Sequence, residues 1–169
     1  MTLDKEQVEQ VVQEELSCQQ RIDAELASRA EDFELYYEDA EVFEEGYEHL
    51  PPFHEYGLCF EYVEPLTFKG QNVGYYCYQL SYGGPSDEIR FHPDGTITYH
   101  FMDWFDGAHR YITNKPWAKW LREYFTDIQA IDWESVADKL YDYSEEEDDD
   151  FEDDFEDDID TDDEQGEEE

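Results

Sequence analysis

The residues with the clearest capacity for chemistry in this sequence are carboxylates, and they are most concentrated in residues 31–48. This stretch, EDFELYYEDAEVFEEGYE, holds nine Asp and Glu and no Lys or Arg. On a helix, six of its glutamates share one face because they recur at alternating steps of three and four residues. These six are Glu31, Glu34, Glu38, Glu41, Glu45 and Glu48. With a rise of ~1.5 Å per residue, the pattern predicts a negative charge about every 5 Å along the helix.

An apolar stripe runs along the opposite side of the same predicted helix. Its members are Phe33, Tyr36, Ala40, Phe43 and Tyr47, and we expect them to be buried. The charged face has two interpretations. A charge run is most often a solvated surface, but such a surface usually mixes both signs, and like charges at these spacings destabilise a helix. We therefore interpret the face as a partner-binding surface, to which the remaining acids of the stretch also contribute: Asp32, Asp39 and Glu44.

The last 25 residues form a second acidic feature. Residues 145–169 contain 19 acids and no bases, and their low apolar content predicts a disordered tail. Three apolar residues recur there at every fourth position: Phe151, Phe155 and Ile159. Such a strand can lie in a groove made for single-stranded nucleic acid, with carboxylates replacing phosphates and rings replacing bases. The alternative is a solubilising tail with incidental apolar residues, but the regular spacing favours partner binding.

The charge of the whole chain restricts the kind of partner. There are 49 Asp and Glu against 10 Lys and Arg among 169 residues, for a net charge of −39. This charge disfavours anionic membranes and direct binding of nucleic acid, so we expect a basic protein as partner. No apolar run reaches the ~18–20 residues of a membrane span. The N-terminus lacks the features of a secretory signal, and three scattered cysteines indicate reduced thiols in a cytoplasm.

Enzyme motifs are missing from the sequence. It has no GxSxG, no glycine-rich phosphate loop, no HExxH and no paired CxxC, and its five histidines are scattered. Asp103 and Asp106 resemble a polar loop. A calcium-loop spacing occurs at Asp158, Asp160, Asp162 and Glu169, but the position that requires glycine is Asp163. The sequence therefore predicts a non-enzyme with no metal and no cofactor.

The elements that position these residues follow from hydrophobic periodicity. Residues 3–29 predict a helix that continues into the acidic stretch, either unbroken or bent near Ser28, and that ends by Gly46. Period-two alternation over residues 58–102 predicts a four-stranded antiparallel meander. Two helices are predicted to follow, at residues 117–125 and 133–141. The expectation is an α+β domain at residues 1–144 and a disordered acidic tail at 145–169. The long first helix also suggests a possible homodimer.

In charge and architecture the chain resembles the small DNA-mimic proteins of phages and mobile elements, which block restriction, recombination or CRISPR enzymes. That resemblance implies an inhibitor that occupies the nucleic-acid groove of a basic DNA-binding protein or defence nuclease in the cytoplasm of a bacterial host. Two other classes stay open. The order of elements is similar to that of longer nucleosome-assembly histone chaperones, which escort basic proteins. An immunity protein that neutralises a nuclease toxin would need the same charge. General acidity, as in a salt-adapted protein, is a further alternative.

Overall fold

A computed structural model describes residues 16–137, in which an N-terminal helix precedes a five-stranded antiparallel sheet in an α+β arrangement. The helices are α1 (Cys18–Glu38), α2 (Ala40–Glu45), α3 (Phe53–Tyr56) and α4 (Pro116–Asp127). The strands are β1 (Cys59–Val63), β2 (Tyr75–Ser81), β3 (Ser86–Phe91), β4 (Ile97–Asp103) and β5 (Asp106–Tyr111). The chain divides into two units, Met1–Trp133 and Glu134–Glu169, and all of these elements belong to the first.

Some expectations fall on residues that the structure does not describe. Residues 133–137 are helical, as expected for the start of the last predicted helix, but its predicted end is not described. Residues 1–15 and the acidic tail also lie outside the described residues. The tail includes Phe151, Phe155, Ile159 and the calcium-like spacing, so these predictions stay predictions.

The sheet buries one face against the helices. The five strands pair in sequence order, each antiparallel to the next. Tyr78, Ile89 and Tyr99 are aligned across the central strands by register and are buried. Phe125 of α4 packs edge-on against Tyr78, with ring centroids 5.0 Å apart. This apolar face therefore fixes the helices that carry the acidic residues.

The sheet has five strands, so the prediction of four was one short. Strand β5 pairs with β4, and Asp103 lies opposite Asp106 across the turn that joins them. Asp103 is therefore the last residue of β4 and Asp106 the first residue of β5, and the two do not belong to a polar loop. The turn itself is Trp104–Phe105, with Trp104 at φ 54°. Two-residue hairpin turns favour Asn-Gly or a leading Gly because positive φ is required, so two bulky aromatics give no turn signal.

The prediction of one helix through the acidic stretch is also wrong. Helix α1 passes through Ser28 without a bend and ends at Glu38. Asp39 then adopts an extended backbone, and its carboxylate accepts a hydrogen bond from the Glu41 amide at 2.9 Å, which makes it the N-cap of α2. Because of this break, the side chains of α2 do not continue the faces of α1. Val42 is buried, whereas Ala40 and Tyr47 are exposed and do not extend the expected apolar stripe.

A buried ion pair fastens α1 to the sheet. Arg29 Nε and Nη2 donate to the two carboxylate oxygens of Asp87 at 2.7 and 3.0 Å. The Ser81 hydroxyl donates to the same carboxylate at 2.5 Å, and the Tyr99 hydroxyl donates at 2.8 Å. Burial by itself lowers the pKa of Arg29, but the hydrogen bonds and charge interactions with Asp87 and Tyr56 together outweigh burial, so that this pKa lies above its ordinary value and the guanidinium stays charged. Both carboxylate oxygens of Asp87 are therefore satisfied by donors from several elements.

Candidate partner-binding surface

Eight of the nine carboxylates in residues 31–48 are exposed, and we call the seven glutamates among them the acidic surface. They are Glu31, Glu34, Glu38, Glu41, Glu44, Glu45 and Glu48. They lie on the C-terminal part of α1, on α2 and on the turn after it. Because the helix breaks at Asp39, the regular spacing predicted from the sequence holds only as far as Glu38. The charges therefore occupy two consecutive helices, not one straight rod.

The other two predicted site residues have structural contacts of their own. Asp32 is half-buried and accepts a hydrogen bond from the Tyr56 hydroxyl at 2.7 Å. Tyr56 in turn accepts one from Arg29 at 3.0 Å, and burial raises its pKa above the ordinary value. Asp39 caps α2 and remains exposed. Asp32 is thus hydrogen-bonded to a largely buried tyrosine, while Asp39 begins the helix that carries several of the glutamates.

No basic residue in the described part of the chain neutralises the acidic surface. The arginine pairs lie elsewhere: Arg21–Asp103 (2.6 Å), Arg29–Asp87 (2.7 Å), Arg90–Glu88 (2.5 Å) and Arg110–Asp23 (2.8 Å). Lys115, Lys119 and Arg122 are the basic residues at the start of α4 and on it. Arg122 donates to the Gly95 carbonyl at 2.9 Å, and the two lysines are exposed. Among residues 16–137, neither lysine forms an ion pair with the acidic surface.

Aromatic packing holds the acidic surface in place from behind. Phe33 is fully buried and stacks on Trp117, with ring centroids 5.1 Å apart. The Tyr36 ring packs edge-on against Phe53 at 5.2 Å, its hydroxyl donates to the Pro51 carbonyl, and burial raises its pKa. These contacts confirm the part of the predicted apolar stripe that lies on α1. The carboxylates are therefore presented from a fixed scaffold.

An open pocket of about 250 Å³ lies between the end of α1, α2 and α4, and we call it the aromatic groove. Its walls are Tyr36, Tyr37, Ala40, Phe43, Trp120 and Tyr124. Trp120 lies 5.8 Å from Phe43 in an edge-on arrangement and 6.2 Å from Tyr37. Trp120 is only half-buried. In the sequence, the one indication of this groove was Tyr37, an aromatic residue just outside the predicted apolar stripe.

A cluster of polar side chains lies on the face of the sheet that points away from the helices. His92 Nε2 and His100 Nε2 are 3.0 and 2.9 Å from the Thr98 hydroxyl, so the two histidines approach each other around it. Burial lowers the pKa of His100 to about 3, with Arg90 and His109 acting in the same direction, and burial also lowers that of His92. Both rings are therefore neutral at pH 7. No group of three metal-ligating side chains occurs within residues 16–137.

Comparison with protein-family models, with curated proteins and with solved structures gives no match to this chain. The helices found in the described part of the chain include none with the length and apolar character of a bilayer span.

Proposed function

We propose that this chain is a DNA-mimic inhibitor, which occupies the nucleic-acid groove of a basic DNA-binding protein or defence nuclease. The observation that supports the proposal is the acidic surface: seven exposed glutamates without a basic partner in the described residues, on helices fixed by aromatic packing. Unpaired like charges cost stability, and a surface that only needs solubility gains from mixed signs. A field of one sign attracts an oppositely charged groove and accelerates association with it.

The spacing of the charges suits a groove that binds phosphates. Glu31, Glu34 and Glu38 follow one another along α1 at about 5 Å, from the helical rise. A DNA strand carries a phosphate about every 3.4 Å along the axis. The α1 row alone is therefore sparser than a DNA strand, and the glutamates of α2 add further charge directly after it. Arginines and lysines that contact phosphates can pair with carboxylates as well.

The proposal predicts that DNA and this protein compete for the same partner. The immobilised full chain is used to capture proteins from a bacterial lysate at low salt. The bound protein is then eluted with duplex DNA, single-stranded DNA or polyglutamate of matched charge. We expect DNA to elute the partner at concentrations where polyglutamate has little effect, because a shaped groove distinguishes a fixed array from a flexible polyanion. Binding should also weaken steeply with salt, since exposed charges are screened within ~8 Å at physiological ionic strength.

Two results of the elution would contradict mimicry. Equal elution by polyglutamate would reduce the interaction to generic polyanion binding and favour an escort of basic proteins. A partner that remains bound in excess DNA of both forms would show that its DNA groove is not covered. An immunity protein whose nuclease is neutralised outside the groove would give that second result.

Removing charge from the acidic surface should weaken this complex without unfolding the protein. In the variant Glu34→Gln, Glu38→Gln, Glu41→Gln and Glu45→Gln, we expect slower association, a flatter salt dependence and about tenfold to hundredfold lower affinity, from typical coupling of charge pairs. The thermal transition should be unchanged or higher, because repulsion along the helices falls. Surface plasmon resonance at several salt concentrations measures the rates.

The matched control removes four negative charges elsewhere. Its substitutions are Glu55→Gln, Glu61→Gln, Glu64→Gln and Asp127→Asn, all at exposed positions outside the acidic surface. It has the same net charge as the test variant, so its affinity should stay within about threefold of the original if position matters more than total charge. Equal losses in the two variants would instead make the acidic surface an ordinary solvated face.

A further inference from the structure

We propose that the aromatic groove binds the guanidinium of an arginine side chain supplied by the basic partner. The inference rests on the proposed function in one respect, which is that the partner is a basic protein. It goes further by naming the side chain that is recognised and the place where it is held. The supporting observations are the shape of the groove, the charges on the helices that form it and the way in which this chain stacks its own arginines.

The groove offers open aromatic surface. Tyr37 is 47% exposed, and Trp120 and Tyr124 are half-buried. The rings of Trp120 and Tyr124 are roughly parallel, 28° apart with centroids 6.2 Å from each other, while Phe43 meets both edge-on. A volume of about 250 Å³ can accommodate one long side chain.

The helices that form two walls of the groove also carry exposed carboxylates. The last turns of α1, which carry Tyr37, also carry the exposed Glu34 and Glu38. Helix α2, which carries Phe43, also carries Glu41 and Glu44. A cation in the groove would therefore meet ring faces and would lie in the negative field of the glutamates on the same helices. An apolar occupant would gain nothing from that field.

The chain stacks three of its own arginines in the same chemical setting. Arg21 pairs with Asp103 and lies 4.8 Å from the centre of the Phe101 ring. Arg29 pairs with Asp87 and lies 5.5 Å from that of Tyr56. The third instance joins Arg90 to Glu88 and to the ring of Tyr75, which is 4.6 Å away. In each case a carboxylate binds the guanidinium and an aromatic ring packs against it. Within residues 16–137 the aromatic groove has the rings, on helices that also carry exposed glutamates, but none of these three arginines stacks on its rings.

Arginine fits the groove better than lysine. A guanidinium is planar, weakly hydrated and stacks on aromatic faces, whereas an ammonium is a compact and strongly hydrated charge. Cation–π pairing is strongest over Trp, and Trp120 forms one wall of the groove. Arginine is also the usual residue for contacts with phosphate and with guanine, so a DNA groove supplies it.

The test uses the full chain and three short peptides as probes. Acetyl-Gly-Arg-Gly-amide is compared with its lysine counterpart and its citrulline counterpart, and citrulline retains the planar shape without the charge. NMR follows the indole N–H signals of the four tryptophans, with Trp120→Phe used to assign that of Trp120. We expect saturable movement of the Trp120 signal with the arginine peptide, at least about threefold weaker binding of lysine and no binding of citrulline. Trp104, which is 86% exposed on the β4–β5 turn, is the internal control and should not move.

Variants at Tyr37 separate the aromatic contribution from the charge. We expect Tyr37→Leu to weaken binding of the arginine peptide about threefold to tenfold, and Tyr37→Phe to retain it, because only the ring is needed. Tyr82→Leu, at an 84% exposed position in the β2–β3 turn, should have no effect. Equal binding of the arginine and citrulline peptides would overturn the inference. An unmoved Trp120 signal, or undiminished binding by Tyr37→Leu, would overturn it as well.

This experiment contains neither DNA nor the partner, so its failure is distinct from failure of the proposed function. Binding of the arginine peptide combined with a negative DNA competition would leave an arginine-binding protein with another role. A positive competition combined with an unmoved Trp120 would leave a DNA mimic that does not use the groove.

Discussion

Replacing Asp87 by Asn is expected to lower the free energy of unfolding by about 3–5 kcal/mol, the usual cost of breaking a buried ion pair from one side. Asp87 is buried and accepts four hydrogen bonds, two of them from Arg29. Asparagine has nearly the same shape but no charge, so Arg29 would be left largely buried without its counter-ion. The amide nitrogen would also face one Arg29 donor and one hydroxyl donor, which is Ser81 or Tyr99 depending on the oxygen that it replaces. Urea denaturation of the two proteins at pH 7 measures the difference.

The same substitution at an exposed pair is the control. Asp23 binds Arg110 through two hydrogen bonds of 2.8 and 3.3 Å, but its side chain is 73% exposed. Because solvent screens such a pair, Asp23→Asn should cost less than about 1 kcal/mol. If the two variants lost equal stability, the Arg29–Asp87 pair would contribute no more than a surface contact to the attachment of α1 to the sheet.

Truncation of Phe33 to Ala is expected to lower the free energy of unfolding by about 3–5 kcal/mol, as for other buried aromatics. The residue is fully buried, stacks on Trp117 and packs edge-on against Tyr56 at 5.2 Å. Removing the ring would leave a cavity between α1 and α4 and would loosen the helix that carries Glu31 and Glu34. Thermal and urea denaturation, followed by near-ultraviolet circular dichroism, report both stability and packing.

Leu35→Ala is the matched truncation on the same helix. Leu35 lies two residues from Phe33 in the same acidic stretch of α1, but it is 41% exposed. It should therefore cost no more than about 1 kcal/mol. A loss as large as that of Phe33→Ala would contradict the assignment of the buried face. That result would require α1 to be rotated about its axis relative to the structure described here.

Local pattern was enough to predict the acidic surface and much of its support. Carboxylates three and four residues apart must share a helical face, and the absence of Lys and Arg between them fixes the sign of that face. The same period placed Phe33 and Tyr36 on the buried side, where they are found. Alternation with period two predicted an antiparallel sheet, and Gly46 was correctly predicted to end the helical stretch.

Features that depend on competition between local choices were only partly predictable. Asp39 is acidic and is also a good N-cap, and nothing local decides whether it continues α1 or begins α2. The structure resolves this in favour of a new helix, which buries Val42 and exposes Ala40. Strand β5 was missed because its turn, Trp104–Phe105, holds φ 54° with a residue type that does not favour it.

By itself the sequence determined the sign and the density of the charge, and its helical face as far as Glu38, because these depend on residues a few positions apart. Only the tertiary structure decided which charges are cancelled and which remain free. Arg29 and Asp87 are 58 residues apart in sequence and meet through the packing of α1 on the sheet. Tyr37 and Trp120 form one groove for the same reason, since α1 and α4 pack side by side. Pairings of this kind arise from burial of a shared apolar core, and no periodicity along the chain records them.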